Sequence, residues 1–334
     1  MPTVILPEAV DFEWARPAHS PPGSSSDRTT ASERLWAQIR GANERTELDA
    51  VISYCFDSDI DPTLVRRTVE LGVPWINFFC DSIYALDRVQ ELARITSLNW
   101  FPERAAVPQY RALGRPFLCR PYALNIGELP EAVCETASYR LGFVGAPTGN
   151  RVLRLAALAL LGCWTEVRGE GWQPTPPTPV RAVLRRSRAR RDRRAVGRLG
   201  ERVVMRLLKP VVRGGARPLA DDEVVPFLKR CRVVLGLNEG RDLQGVYRSY
   251  LKLRDIEFPG HGCCYLTQHN EDVEGAFDIG REVLTFRDAS EAASLVRRCV
   301  RHPDEARAIG CAGRKRVQAE HGWAVRLMEL AKAL

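Results

Sequence analysis

The chain has 334 residues, 45% of them hydrophobic and 27% charged, with a formal net charge of +8. That length suits two domains with a sizeable core, and the composition is globular rather than disordered or fibrous. No run of about 18 apolar residues occurs, so no membrane-spanning helix is expected, and the excess positive charge is confined to one segment, Arg181 to Arg217, in which only Asp192 and Glu201 oppose the basic residues.

In chain order, Met1 to Leu6 suit a short edge strand, and Arg16 to Thr30, rich in Pro, Ser and Gly, reads as a loop. Ser32 to Arg45 is a predicted helix with Leu35, Trp36 and Ile39 on one face. Strands are expected at Leu48–Phe56, Val73–Phe79, Ile95–Trp100 and Phe117–Pro121. Helices alternate with them at Asp61–Leu71, Ile83–Ala93 and Pro102–Leu113. This alternation implies parallel βαβ units in an α/β, doubly wound domain. Tyr139–Val144 opens a second series: a turn at Gly145–Asn150, a helix at Arg151–Leu161 and a strand at Trp164–Arg168 ending in Gly169-Glu170-Gly171-Trp172.

Gln173–Pro179 is a Pro/Thr linker into the arginine-rich segment, where Val196, Leu199, Val203, Leu207 and Val211 recur at helical spacing. A helix at Asp222–Lys229 and a strand at Cys231–Leu237 follow. From Tyr247 a basic, helix-like run carries Glu257 to a glycine turn, Gly260 and Gly262. Then come a β-rich run at Cys263–Thr267, an acidic loop and a strand at Glu282–Phe286. Asp288 caps a helix near Ser290–His302, a helix runs from Pro303 to His321, and a last one from Trp323 to Leu334. The expected domains are 1–138 and 139–321, the second with a basic insertion at 173–217, followed by a helix at 322–334 crossing back to the first domain.

Ten cysteines occur without a C-x-x-C pair, mostly inside apolar runs. That pattern favours buried thiols in a reducing cytoplasm over disulfides or zinc. The vicinal pair Cys263-Cys264 opens a predicted strand and reads as packing, because alternate side chains face opposite ways. The N-terminus lacks the charge and apolar core of a signal peptide, which with the cysteines gives a cytoplasmic expectation.

Several residues are candidates for chemistry. Glu257, a carboxylate at a helix end, can accept both hydroxyls of a nucleotide ribose; its bland reading is a solvated helix carboxylate. Arg248, Lys252 and Arg254 precede it and supply cations for a diphosphate leaving group. Helical spacing sets Arg248 and Lys252 on one face, with Arg254 off it, paired with Asp255 or holding the domain. The turns at Gly145–Asn150 and Gly260–Gly262 let backbone N–H groups approach phosphate or sugar, and Arg151 is a phosphate contact beside the first. Asp81, after the strand ending at Cys80, is placed to orient or deprotonate an acceptor hydroxyl, or else caps a helix. His261 lies in the second glycine turn, placed to face the donor as a second catalytic candidate. Asp57-Ser58-Asp59-Ile60-Asp61 contains overlapping D-x-D patterns that would suit a metal-bound diphosphate, but Asp61 before Pro62 reads better as a cap, so no metal site is assigned. The arginine-rich segment is a solvated insertion or a basic amphipathic helix on an anionic membrane; no aromatic interleaving supports nucleic-acid binding.

Arg254, Glu257, Gly262 and Thr267, then Glu282-Val283, His302-Pro303-Asp304-Glu305, Ala312-Gly313-Arg314 and His321 form an ordered series. This series resembles the C-terminal half of group 1 (GT-B type) glycosyltransferases, most closely the bacterial spore-maturation CgeB-like branch. Phe143-Val144-Gly145 and Gly169 to Trp172 also match that plan. The chain departs from the broader class at Ser249, where many members carry a second Glu for the donor sugar; the CgeB-like branch often lacks it. The resemblance implies a GT-B fold with two Rossmann-like domains, parallel sheets facing across a cleft. The second domain would hold a nucleotide-diphosphate sugar, with Glu257 on the ribose, and the abbreviated first domain an unknown acceptor; the membrane reading of Arg181–Arg217 would suit a lipid-linked one. It implies retaining sugar transfer; no metal or other cofactor is required. The alternative expectation is a non-catalytic scaffold or membrane-surface binding protein of the same fold.

Overall fold

The computed structural model describes residues 25–129, 137–148, 150–172, 218–242 and 246–334. The strand expected at 1–6, the linker at 173–179 and the arginine-rich helix within 181–217 lie outside the described residues. The chain divides into two compact units, Met1–Leu124 with Arg241–Tyr247 and Glu320–Leu334, and Asn125–Gly240 with Arg248–Ala319.

The first unit holds α1 (Ser25–Arg45), β1 (Val51–Ser53), α2 (Pro62–Glu70), β2 (Trp75–Phe78), α3 (Ser82–Ala85), α4 (Gln90–Ile95), β3 (Leu98–Phe101), α5 (Val107–Ala112) and β4 (Phe117–Cys119). Its four strands pair in parallel in the order β1-β2-β3-β4. The two central strands are buried along nearly their whole length, as a parallel sheet covered on both faces requires.

Several boundaries differ from expectation, each for a tertiary reason. Helix α1 begins at Ser25, inside the expected loop, because Arg28 Nη1 donates to the Asp57 carbonyl at 3.0 Å and Ser32 Oγ accepts the Asp61 N–H at 2.8 Å. The helix expected at 83–93 is broken: the Asp57 carboxylate accepts the N–H groups of Glu91 and Leu92 at 3.0 and 2.9 Å and starts a separate α4. Asp59 accepts from Phe56 N at 2.8 Å and Asp61 caps α2 through Thr63 N at 2.9 Å. All three carboxylates of the D-x-D stretch are thus engaged with backbone. Among the described residues no group of three or more His, Cys, Asp or Glu is arranged to hold a metal.

The second unit is built from β5 (Tyr139–Val144), α6 (Arg151–Leu160), β6 (Glu166–Arg168), α7 (Asp221–Lys229) and β7 (Cys231–Leu235). A short ribbon follows, β8 (Glu239–Arg241) with β9 (Tyr247–Ser249), its ends shared between the two units. Then come α8 (Leu253–Gly260), β10 (Tyr265–Gln268), α9 (Glu271–Ala276), β11 (Leu284–Phe286), α10 (Ala289–Arg301) and α11 (Pro303–Glu320). The sheet is parallel, in the order β11-β10-β7-β5-β6. The chain steps outward from β5 to β6, then returns to the other flank of β5 for β7. That reversal is a topological switch point, where open α/β sheets leave a crevice at the carboxyl ends of the strands. Leu141, Phe143, Val233, Leu235 and Leu266 of the strands pack with Val152 and Leu155 of α6 and Ala292 and Val296 of α10.

The acidic loop expected before β11 contains α9 instead. Asn270 accepts the Val273 N–H at 3.0 Å, and Glu271, Asp272 and Glu274 occupy the first turn, where carboxylates favour a helix start.

The last helix, α12 (Trp323–Ala333), belongs to the first unit. Leu330 is buried with Ile76, Leu98 and Trp100, and Glu329 pairs with Arg120 at 2.9 Å. Leu124 N donates to the His321 carbonyl at 2.9 Å, tying the helix entry to the end of the first run of chain. Leu330→Ala should destabilise the first unit by about 2–5 kcal/mol in urea unfolding; a loss below about 0.5 kcal/mol would mean that α12 does not seal this core.

Candidate functional site

The switch point is occupied by arginine. Beyond β5 the chain turns at Gly145, with φ 151°, and its N–H donates to the Arg168 carbonyl at 2.8 Å. A Cβ on Gly169 would lie 2.3 Å from the Gly145 carbonyl oxygen, so the two turns can pack together only with glycine at 169. Trp172 Nε1 donates to the same carbonyl at 2.6 Å. Helix α6 then starts at Arg151, whose guanidinium reaches across the crevice. Its Nε donates to the Leu237 carbonyl beyond β7 at 3.0 Å, and its Nη1 to Ala146 O and Thr148 Oγ1, each at 3.1 Å.

Arg254, in the first turn of α8, comes to the same place. Its Nη1 donates to the Val144 carbonyl at 2.9 Å. A Cβ on Gly145 would sit 3.1 Å from Arg254 Nη1 and 3.3 Å from Arg151 Nη1, so both guanidiniums lean on this one glycine. Neither has an ion-pair partner among the described residues, and both are half-buried. Burial, followed by the charge of Arg254, pushes the Arg151 pKa down to about 10. Two like charges in a partly desolvated crevice, with N–H donors left over, form a site electrostatically suited to an anion.

Asp255 aims this helix. It is 1% exposed and accepts from Asn238 Nδ2 and Lys252 N, each at 2.7 Å, and from Tyr265 Oη and Thr267 Oγ1, each at 2.9 Å. Burial raises its pKa, and the Lys252, Tyr265 and Thr267 donors and the Arg254 charge pull the other way. One carboxylate thus ties the start of α8 to the ends of β7 and β10. Asp255 therefore faces the interior, and Arg254 is not its ion-pair partner but a member of the crevice. Glu257 follows Arg254 by three residues, on the same helical face. It is half-buried and its carboxylate makes no hydrogen bond among the described residues; burial raises its pKa while Arg254 lowers it.

The other candidates are placed differently. Arg248 is exposed on strand β9 and Lys252 is the residue before α8, so they share no helical face; the Asp255 side chain takes the Lys252 N–H and fixes the helix start after it. Lys252 Nζ lies 4.3 Å from the Tyr250 ring centroid. Gly260, His261 and Gly262 end α8, which runs antiparallel to the strands, and so they sit at the opposite, amino-terminal edge of the sheet. There Arg314 Nη1 donates to the Gly260 carbonyl at 3.0 Å, and a Cβ on Gly310 of α11 would meet the Gly262 carbonyl at 2.2 Å. Burial, then Arg314 and Lys229, lowers the His261 pKa. The structure does not bring this turn to Arg151 and Arg254; it serves helix packing. Asp81 lies in the first unit in the left-handed region, φ 64°, ahead of α3 and without a side-chain cap bond; Glu103 takes the Ser82 N–H instead, at 3.2 Å.

Asp255 and Asn238 were not singled out as site residues in the sequence. A signal existed: Asp255 stands three residues after Lys252, the spacing at which an acidic side chain reaches back to the residue before a helix.

Residues 181–332 match the family model described as "Glycosyl transferase-like". No curated protein matches the sequence. Among solved structures, the chain is similar to a sucrose-phosphate synthase from Thermosynechococcus elongatus, with 13% identity, 91% of this chain and 77% of that one covered, and a TM-score of 0.56. A glycosyltransferase from Rickettsia africae gives 11% identity, 93% and 83% coverage and a TM-score of 0.57. HepE from Anabaena in complex with UDP and glucose gives 11% identity, 94% and 84% coverage and a TM-score of 0.56. The fold is therefore GT-B, with two Rossmann-like domains of parallel sheets.

Two measurements check the site. Asp255→Ala strands buried donors on Asn238, Tyr265 and Thr267, and should destabilise the second unit by on the order of 3 kcal/mol in denaturant unfolding. The pH dependence of Glu257 has a definite sign. A raised folded pKa means the folded state binds its proton more readily than the unfolded chain, whose carboxyl titrates near 4.5. The ionised carboxylate therefore costs stability above the folded pKa, and that cost disappears as pH falls to the unfolded value. Glu257→Gln should accordingly melt higher than wild type at pH 7, and the gap should close near pH 4.

Proposed function

We propose that the protein is a glycosyltransferase that moves a sugar from a nucleotide-diphosphate sugar to an acceptor. The observation that carries this reading is the Arg151–Arg254 pair at the switch point of the second unit, two cations without a carboxylate partner among the described residues. A diphosphate is the anion that suits them: it spans two guanidiniums, and its charge grows as the sugar bond breaks, which is when fixed donors help most. Glu257, beside Arg254, would accept the ribose hydroxyls. The match over 181–332 and the fold shared with HepE, a protein crystallised with UDP and glucose, support the same reading.

In this scheme Arg151 and Arg254 take the electrostatic role that a metal fills elsewhere, so transfer proceeds without a metal. The retaining outcome and the CgeB-like branch rest on the sequence resemblance. The acceptor belongs to the first unit, where Asp81 is the candidate base. Arg248 and Lys252 remain candidates for the outer phosphate, and no cofactor beyond the donor is invoked.

Calorimetry with UDP-, ADP- and GDP-sugars tests the reading. At least one donor should bind, and Arg254→Ala and Glu257→Ala should each weaken it by about 10- to 100-fold, the range for hydrogen bonds to charged groups. Affinity should also fall as pH drops through the raised Glu257 pKa, a slope that Glu257→Gln should abolish. Donor binding insensitive to both alanine variants would remove this crevice from the reaction. Binding without release of nucleoside diphosphate, across a broad acceptor panel, would favour a non-catalytic scaffold.

A further inference from the structure

Helix α6 is apolar on its outward face as well as its inward one. Val152, Leu155, Ala156, Leu158 and Ala159 are buried, yet Leu153, Leu160 and Leu161 are 38%, 80% and 40% exposed, and Trp164 just beyond is 44% exposed. A surface helix ordinarily turns polar residues to water. Arg151 and Arg154, its polar residues, are both committed at its start, the first at the switch point and the second to Glu239 at 2.6 Å. The helix runs down from the switch point, so Leu160, Leu161 and Trp164 lie at the amino-terminal edge of the sheet.

That edge is basic. Arg297 of α10 donates through Nη1 to the Leu161 carbonyl at 3.2 Å, and Arg301 lies one turn further along, its Nε 3.4 Å from the Arg297 carbonyl. Arg140, the second residue of β5, is exposed at the same amino-terminal edge of the sheet. Arg140, Arg297 and Arg301 are exposed and unpaired with carboxylate among the described residues. The acidic residues opening α11 are spoken for: Glu305 pairs with Arg298 at 3.2 Å and Asp304 with Arg307 at 3.3 Å.

We infer that this edge docks on an anionic lipid bilayer, with Leu160, Leu161 and Trp164 entering the headgroup region and Arg140, Arg297 and Arg301 meeting lipid phosphates. Leucines and an indole on the same edge as exposed arginines match the chemistry of a membrane interface, where apolar insertion and attraction to anionic lipid add. The exposed apolar residues here are Leu153, Leu160, Leu161 and Trp164, few beside the roughly 20–30 residues a side of a stable protein interface. The inference stands apart from the nucleotide reading, because the patch is at the other end of α6 from Arg151.

The test uses the full chain with vesicles of phosphatidylglycerol and phosphatidylcholine, and with phosphatidylcholine alone. Wild type should sediment with the anionic vesicles and not the neutral ones. Leu160→Glu combined with Leu161→Glu should lower partitioning at least about tenfold, and Arg297→Gln combined with Arg301→Gln by a similar factor, near fivefold per arginine. Bromine-labelled lipid should quench tryptophan emission more in wild type than in Trp164→Phe. Unchanged circular dichroism in the variants separates lost docking from lost fold. No binding to anionic vesicles overturns the inference. So does binding that survives both double variants without quenching at Trp164, which would move the contact to another basic segment such as 181–217. A wild-type dimer in light scattering that Leu160→Glu converts to monomer, with no vesicle binding, would assign the face to a second copy of the chain.

Discussion

Two guanidiniums held against one glycine are the constraint around which the second unit is arranged. Arg151 and Arg254 come from helices far apart in sequence, and each is anchored on backbone carbonyls at the ends of β5 and β7. Their repulsion is sustained because those carbonyls point at them and because the fold around them is rigid. A side chain at Gly145 would crowd both, and a side chain at Gly169 would push the Gly145 turn out of place. The crevice is therefore set by what is missing from two positions as much as by what is present at 151 and 254.

Asp255 supplies the rigidity from below. A fully buried carboxylate is costly unless its oxygens are matched by donors, and here four donors from three elements converge on it. The result is specificity of placement more than stability: α8 can begin at only one residue, and Arg254 and Glu257 inherit their direction from that start.

Much of the fold was legible in the sequence because parallel sheets advertise themselves. Buried strands such as 75–78 and 139–144 read as short apolar runs, and capped helices such as α10, with Asp288 before it, announce their starts. What stayed hidden depended on partners distant in the chain. Asp57 splitting the helix at 90, and Ser32 extending α1, are bonds across about thirty residues that no local pattern encodes. The site behaved likewise. Arg151, Glu257 and Gly145 could be picked out by type and position. The place of Arg254 in the crevice and the inward turn of Asp255 could not, because a helical start one or two residues later decides which way each faces. His261 and its flanking glycines have the form of a phosphate-approaching turn, whereas an eight-residue helix carries them to the far edge of the sheet.

The position of α12 has a consequence for how the molecule is made. Its residues finish the core of the first unit, yet they are synthesised after those of the second unit. The nascent first unit thus waits with Trp100 and Leu98 uncovered, while the second unit can close on its own. Lengthening such an intervening stretch adds only about 0.6 kcal/mol of closure entropy per doubling. The arrangement is thus cheap at equilibrium and slow in birth, and it leaves the first unit, begun before the second, to be sealed after it and the more in need of chaperone cover.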